Sequence, residues 1–481
     1  VALVFTLTGC SSLNRSTSGT TTLYWWRSQE DASEATLTQI VNDFESSNPK
    51  IKVEVVLKDP RTFEQEAVDA LAAHQTVTNA PDILSVRAED LPKYVPQLTG
   101  APDTLFNTAA GKKGTGEDSV QYVNDLFLPA AAKSIILDEP TSGTPKVYGL
   151  PLAIDTLALY YNKTLIDKTV SNLKDNLKSE RPVSADELKA IKKKIQTPPK
   201  TWTELTEIIP YLRITNGADI SQAAIAMGTS KNVERSYDIL QSIMLQNGTQ
   251  LTSDDLDAAT FNLSQSAAVG EKNPGEDALK FYLRFSNPQD SLYTWNDKMP
   301  NSVDAFINGQ TVMMFHYAST YRFIINESPT LKNSIDVAAM PQTLDPTSSI
   351  NADRLKTMSR MWVETVPSAK ADANRQQAAW TFVQYITNKA HSKTYLNAMK
   401  LPSALKDGTD KAKFPAFNEQ KTYADTWYKG HKALTIDQLF ITMIDDAYSG
   451  RKSTKEALDA TAAEVTSYLQ ASKVKWGTRQ Q

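Results

Sequence analysis

What this chain lacks narrows it first. Its 481 residues hold a single cysteine, Cys10, so no disulfide can close within it and no thiolate cluster can hold a metal. The four histidines, His74, His316, His391 and His431, lie far apart in the sequence, and none sits in HExxH or another metal-ligand spacing. No GxSxG elbow, P-loop or GxGxxG turn occurs, so esterases of that type, NTPases and dinucleotide enzymes are left without their signatures. A net charge of −4 offers no basic surface to displace phosphate counterions, which speaks against nucleic acid. The one basic run, Lys192 to Lys194, fits the solvated face of a helix that turns Leu188, Ile191 and Ile195 inward. No internal repeat of fixed period is present. Acidic pairs such as Asp445 and Asp446 keep a two-carboxylate glycoside hydrolase open by residue type, although adjacent acids on a helix ordinarily form a solvated face.

What is present is an ordinary globular composition, 41% hydrophobic and 22% charged, in a chain long enough for two or three domains. The first residues, VALVFTLTGCSS, carry an apolar run too short for a membrane helix, which needs about 20 residues. They end in Leu7-Thr8-Gly9-Cys10, which resembles the lipobox of bacterial lipoprotein signal peptides with cleavage before the cysteine. Neither Met nor a basic segment precedes the run, so residues 1–9 are expected to be a truncated signal peptide. Cys10 is then a lipid attachment point and not a core thiol. Once it is acylated no thiol is left for catalysis. Residues 10–21 are rich in Ser, Thr and Gly and suit a flexible tether to the membrane.

From Thr22 the pattern becomes regular. Leu23 to Trp26 forms a strand, Ser33 offers an N-cap to a helix with Leu37, Ile40, Val41 and Phe44 on one face, and Ile51, Val53, Val55 and Leu57 alternate as a strand. A second amphipathic helix over 61–73 and a strand from Pro81 to Leu84 complete a βαβαβ series. Such alternation predicts a parallel sheet with ligand sites at the carboxyl ends of its strands. A short helix is expected over 121–132. Ser184 with Glu187, and Thr201 with Glu204, read as capping boxes, and Trp202 braces the helix that follows. Residues 305–321 read as helix, glycine turn, apolar strand and aromatic polar loop. Ile335 to Pro341 is expected to be a hinge strand. A helix over 372–388 and a final helix burying Leu458, Ala462, Val465 and Leu469 close the chain.

One stretch organises the rest, YGLPLAIDTLALYYNKTL from Tyr148 to Leu165. Its apolar run is broken once, by Asp155. A carboxylate inside a buried strand is costly unless it is hydrogen-bonded or opens on a cleft, so Asp155 is either a cap on backbone amides or a site residue. Aromatics gather at predicted strand ends and loops: Trp25, Trp26, Tyr317, Tyr321, Trp362, Trp427 and Tyr428. Any one of them alone suits a core, yet several at strand ends suit the flat faces that stack on sugar rings. Arg87, Glu89 and Asp82 are polar candidates for hydroxyl groups. Asp82 also reads as the cap of its own strand, and His316 is the one histidine placed to meet a ligand.

These stretches, taken in order, resemble the extracellular solute-binding proteins, family 1, of bacterial ABC sugar importers. The resemblance rests on TLYWW, APDIL, YGLPLAIDTLALYYNK, PPKTWTEL, AFINGQTVMMF and MWVETVPS through FVQYI, and runs from about Thr22 to about Tyr468. It implies an α/β fold of two lobes, each a mostly parallel sheet flanked by helices, joined by hinge strands. The expected lobes are 22–153 plus 342–400 and 154–341 plus 401–475. The resemblance puts Asp155 at the hinge facing the sugar, an aromatic ring in the loop after VMMF, and Ser319 where a stacking tryptophan is expected, which argues against maltodextrin. The expected ligand-binding set is Trp25, Trp26, Arg87, Asp155, Tyr317, Ser319, Tyr321, Trp362, Trp427 and Tyr428. No catalysis, cofactor or metal is implied. The expected partners are a small carbohydrate, an ABC permease and, through the lipid, the membrane, with the protein acting as an extracytoplasmic monomer. The same fold binding a non-sugar solute, such as a peptide or polyol phosphate, and a surface enzyme acting on polysaccharide are the alternatives.

Overall fold

The computed structural model describes residues 19–29, 33–73, 77, 79–104, 118–178, 184–266, 271–368, 372–408 and 412–475. Cys10 and His74 lie outside these residues.

Two five-stranded sheets and a small sheet between them organise the chain. In the first sheet, Thr21–Ser28 lies parallel to Ile51–Lys58 and to Ile83–Arg87, while Trp362–Thr365 returns antiparallel beside Ile83–Arg87 and carries Leu150–Pro151 at the far edge. Helices Glu34–Ser47 and Phe63–Ala72 cover it, as does Ala373–Thr387. The capping residues act as the sequence leads one to expect: Ser33 accepts from the Thr36 amide, and Thr201 and Glu204 form a complete capping box. The second sheet runs Ile335–Ala338, Ala158–Asn162, Thr311–His316, Asp219–Ala226, Ile214–Asn216. Gly309, at φ +70°, makes the turn into its central strand Thr311–His316, a conformation that side-chain-bearing residues disfavour.

Between the lobes, Asp155–Thr156, Thr357–Arg360 and Ala424–Asp425 form a three-stranded hinge sheet in which Arg360 is paired with Asp155. The stretch from Tyr148 to Leu165 is therefore three pieces in three sheets. Leu150–Pro151 belongs to the first lobe, Asp155–Thr156 to the hinge and Ala158–Asn162 to the second lobe. Gly149 permits the close approach at its start, since a Cβ there would lie 2.5 Å from Val363 Cγ1.

Five expectations change. The sheets are mixed and not mostly parallel: two of four pairings are parallel in the first, and in the second only Thr311–His316 with Asp219–Ala226 is. The helix expected over 121–132 is two helices, Ser119–Leu126 and Pro129–Ile135, because Pro129 starts a new helix and cannot continue an old one. Ile335–Ala338 is an edge strand of the second sheet and not a hinge strand. The expected entry into the first lobe at 342 comes too early, since Gln342 exchanges backbone bonds with Lys200 and Trp202 of the second lobe. The expected exit at 400 is also early, because Ala404 and Lys406 bond back to Leu152, Leu128 and Leu126.

Candidate functional site

A cleft of about 850 Å³ lies between the two sheets, and both lobes and the hinge contribute to its walls. The first lobe supplies the carboxyl ends of its central strands. Arg27 and Arg87 come from there, with Trp362 from the adjacent antiparallel strand. Trp362 is the register partner of Arg87, whose guanidinium carbon lies 5.6 Å from the Trp362 ring centre. Beneath this wall Glu364, fully buried, accepts from Arg27 at 2.5 Å, from Trp25 Nε1 at 2.7 Å and from Ser85 Oγ at 2.6 Å. Such a completely bonded buried acid fixes the strand ends at the cleft rim.

The hinge supplies Asp155 and Arg360. Asp155 accepts the Ala318 amide at 2.7 Å and the Ser319 amide at 3.0 Å. Its carboxylate thus caps a loop more than 160 residues away in sequence, and at the same time borders the cleft. Burial pushes its carboxyl up in pKa, against the two amides and Arg360, which favour the charged form. Arg360 sits 3.8 Å from Glu89 and 5.1 Å from the Tyr317 ring centre. Burial works against the charge on both Glu89 and Arg360, yet their mutual attraction and further neighbours hold Glu89 below its usual value and Arg360 above it.

The second lobe supplies His316 at the end of Thr311–His316 and the helix Thr320–Glu327. The Tyr317 amide donates to His316 Nδ1 at 2.9 Å, with the Thr320 hydroxyl against the same nitrogen, so the ring proton is assigned to Nε2, which faces Glu234 at 3.5 Å. Burial pushes His316 down to about 4, outweighing the Glu234 carboxylate. Helix Thr320–Glu327 buries Ile324 and turns Arg322, Phe323 and Asn326 outward to line the cleft. Phe323 is 51% exposed. An exposed ring beside a guanidinium and an amide is the combination that meets the C–H face and the hydroxyl edge of a sugar.

Of the ten expected ligand contacts, Arg87, Asp155, Ser319 and Trp362 line this cleft. The structure places the other six elsewhere. Trp25 is fully buried edge-on to Phe382. Trp26 is buried, with its Nε1 on the Asn79 carbonyl and Lys58 over its ring. Tyr317 lies behind the wall, with Arg235 and Arg360 against its ring. Tyr321 packs against Phe414. Trp427 donates to Gln241 and packs on Phe440, and Tyr428 is half-buried away from the cleft. Strand-end position does not distinguish a ring turned into the core from one turned into the cleft. Asp82, a weaker candidate, pairs with Arg375 and accepts the Tyr24 amide, the structural role considered for it.

Arg322, Phe323, Asn326, Asp304 and Arg360 were missed. A signal for the first three was present. The stretch that begins at the end of the expected loop and runs past it is a short amphipathic helix, with Ile324 and Ile325 inward and Arg322, Phe323 and Asn326 on the other face. Among the described residues there is no group of three or more His, Cys, Asp or Glu able to hold a metal, and no helix is long and apolar enough to cross a membrane.

Comparison with known proteins agrees with this architecture. A family model described as bacterial extracellular solute-binding protein matches residues 39–422. Among solved structures, the cyclic α-maltosyl-1,6-maltose binding protein of Arthrobacter globiformis is similar at TM-score 0.68 and 16% identity, covering 94% of this chain and 100% of that one. The sugar-binding protein MalE of Xanthomonas citri is similar at TM-score 0.67 and 17% identity, with 96% and 100% covered. An ABC transporter solute-binding protein of Thermotoga lettingae, bound to α-D-tagatose, is similar at TM-score 0.62 and 19% identity, with 94% and 100% covered. Comparison with curated protein sequences gives no match.

Proposed function

Since this chain belongs to the bacterial extracellular solute-binding proteins, we propose that its solute is a carbohydrate, enclosed between the two lobes and handed to an ABC permease. The observation that carries the reading is the cleft itself. An exposed ring, Phe323, stands beside Arg322 and Asn326 on the second lobe, with Trp362 and Arg87 on the first. The sugar ligands named for structures of the same fold support it. The lobes turn about the hinge strands Asp155–Thr156, Thr357–Arg360 and Ala424–Asp425, short segments that can absorb a change of backbone angle. Binding without turnover is part of this reading, as is action as a monomer.

The test is calorimetry of the purified protein against neutral and acidic mono- and oligosaccharides, with small-angle scattering of the same mixtures. A sugar that binds and compacts the protein supports the reading. Binding of a peptide or polyol phosphate, with none of the sugars bound, refutes it. The family places the protein outside the cytoplasm. We further propose that lipid at Cys10 holds it on the membrane, so Cys10→Ser should release it to the soluble fraction. A variant still sedimenting with membranes in high salt would refute the anchor.

A further inference from the structure

Five arginines line the cleft, and they are not equivalent. Arg27 meets Glu364 at 2.5 Å, Arg360 meets Glu89 at 3.8 Å, and Arg235 meets Glu234 at 4.0 Å. Arg87 and Arg322 differ: among the described residues neither has a carboxylate oxygen within the 4.0 Å of an ion pair. Arg87 rests over the Trp362 ring, and Arg322, exposed on its helix, has its Nη1 3.2 Å from the Met399 sulfur. Asp90, close in sequence to Arg87, is a weak counter-ion for it, because burial and then Glu89 and Glu64 push its carboxyl up to about 7.

The carboxylates of the cleft are mostly committed. Asp155 spends one oxygen on each of two amides, Glu234 faces Arg235 and His316, and Glu89 faces Arg360. Asp304, exposed on helix Ser302–Ile307, has no cation within 4.0 Å among the described residues. Arg87 feels the Glu89 carboxylate at longer range, yet two guanidinium groups without an ion-pair contact stand in the cleft beside one such carboxylate, Asp304. Closing the lobes on a neutral sugar would desolvate these two guanidinium groups with no anion paired to either, which is costly. An anion turns the same step into a gain, because the guanidinium fork pairs with two oxygens of a carboxylate or phosphate at once, and the attraction strengthens as water leaves.

We propose that the ligand is an anionic sugar whose carboxylate or phosphate is held between Arg322 of the second lobe and Arg87 of the first, with its ring on Phe323 and its hydroxyls on Asn326 and Asp304. The proposal rests on the carbohydrate reading and narrows it. The two guanidinium groups, one on each lobe, make the anion a bridge that favours the closed form.

Calorimetry on matched pairs tests it: oligosaccharides containing uronic acid against their neutral counterparts, and sugar phosphates against the free sugars. The expected result is that the charged member of one series binds at least about tenfold tighter, a difference of about 1.4 kcal/mol, and that this advantage shrinks in high salt. A response in the uronate series alone identifies a carboxylate, and one in the phosphate series alone a phosphate. Arg322→Gln and Arg87→Gln should each reduce the charged-to-neutral ratio towards one. Arg322→Lys should restore part of it, since charge is kept and the fork is lost. Neutral sugars binding as tightly as charged ones, or both glutamine variants leaving the ratio intact, would overturn the proposal while the carbohydrate reading stands. If no sugar of either kind binds, both fall.

Discussion

Removing the Phe323 ring should weaken ligand binding. A phenyl side chain buries at most about 200 Å², and Phe323 is 51% exposed, so about 100 Å² of it remains to be covered. At about 25 cal/mol per Å² full coverage would contribute about 2.5 kcal/mol. A sugar covers one face, roughly half of that, so Phe323→Ala should raise Kd about eightfold. The other half of the ring is already covered by the protein, so the same bookkeeping caps the loss of folding stability in the ligand-free protein at about 2.5 kcal/mol, an upper bound because the unfolded chain also covers part of the ring. Phe323→Tyr keeps the face and should keep most of the affinity. Calorimetry with the best-binding sugar, alongside thermal melting without it, measures both quantities. Affinity of Phe323→Ala within a factor of about two of the parent would show that the ring meets no ligand.

Three further outcomes follow from groups behind the cleft wall. Glu364→Gln leaves the buried Arg27 charge without its acid and should cost about 3–5 kcal/mol of stability, read by denaturant unfolding; a loss below about 1 kcal/mol would mean that water already reaches the pair. Asp155→Asn can accept only one of the two amides that the carboxylate takes, so it should lower stability of the ligand-free protein by about 1–2 kcal/mol and affinity with it. An affinity loss with melting unchanged would instead put the carboxylate on the ligand. His316 is held at about 4 against 6.5 in the unfolded chain. The unfolded state therefore takes up a proton that the folded state refuses, and stability should fall as pH drops from about 6.5 to about 4 and stay level with respect to this group above it. His316→Asn should flatten that fall, and a curve with the same slope as the parent would place the pH sensitivity elsewhere.

Local chemistry accounts for much of what could be read in the sequence. Ser33 and Thr201 cap helices because their hydroxyls reach amides a few residues away, and such reach is set by spacing in the chain alone. The βαβαβ opening and the apolar strand Thr311–His316 were legible for the same reason, as periodicity reports which face of an element is buried. The ordered stretches were enough for the two-lobed α/β fold and the solute-binding family. The cleft was less legible. Trp25 was expected at a strand end, but its strand runs on to Ser28 and the ring turns towards Phe382 in the core, whereas Trp362 begins its strand and borders the cleft. Pleating and the packing of Ala373–Thr387 decide which way each ring turns, and neither is visible in a window of sequence.

The sequence by itself determined the elements, their order and the break at Asp155, since these depend on spacing, propensity and the cost of burying a charge. Only the tertiary structure decided what Asp155 bonds to, because its partners Ala318 and Ser319 are brought to it by strand pairing between Ala158–Asn162 and Thr311–His316. The same holds for the charge balance of the cleft. Whether an arginine is neutralised depends on carboxylates hundreds of residues away, as Arg27 is by Glu364, and Coulomb attraction acts on distance in space and not along the chain.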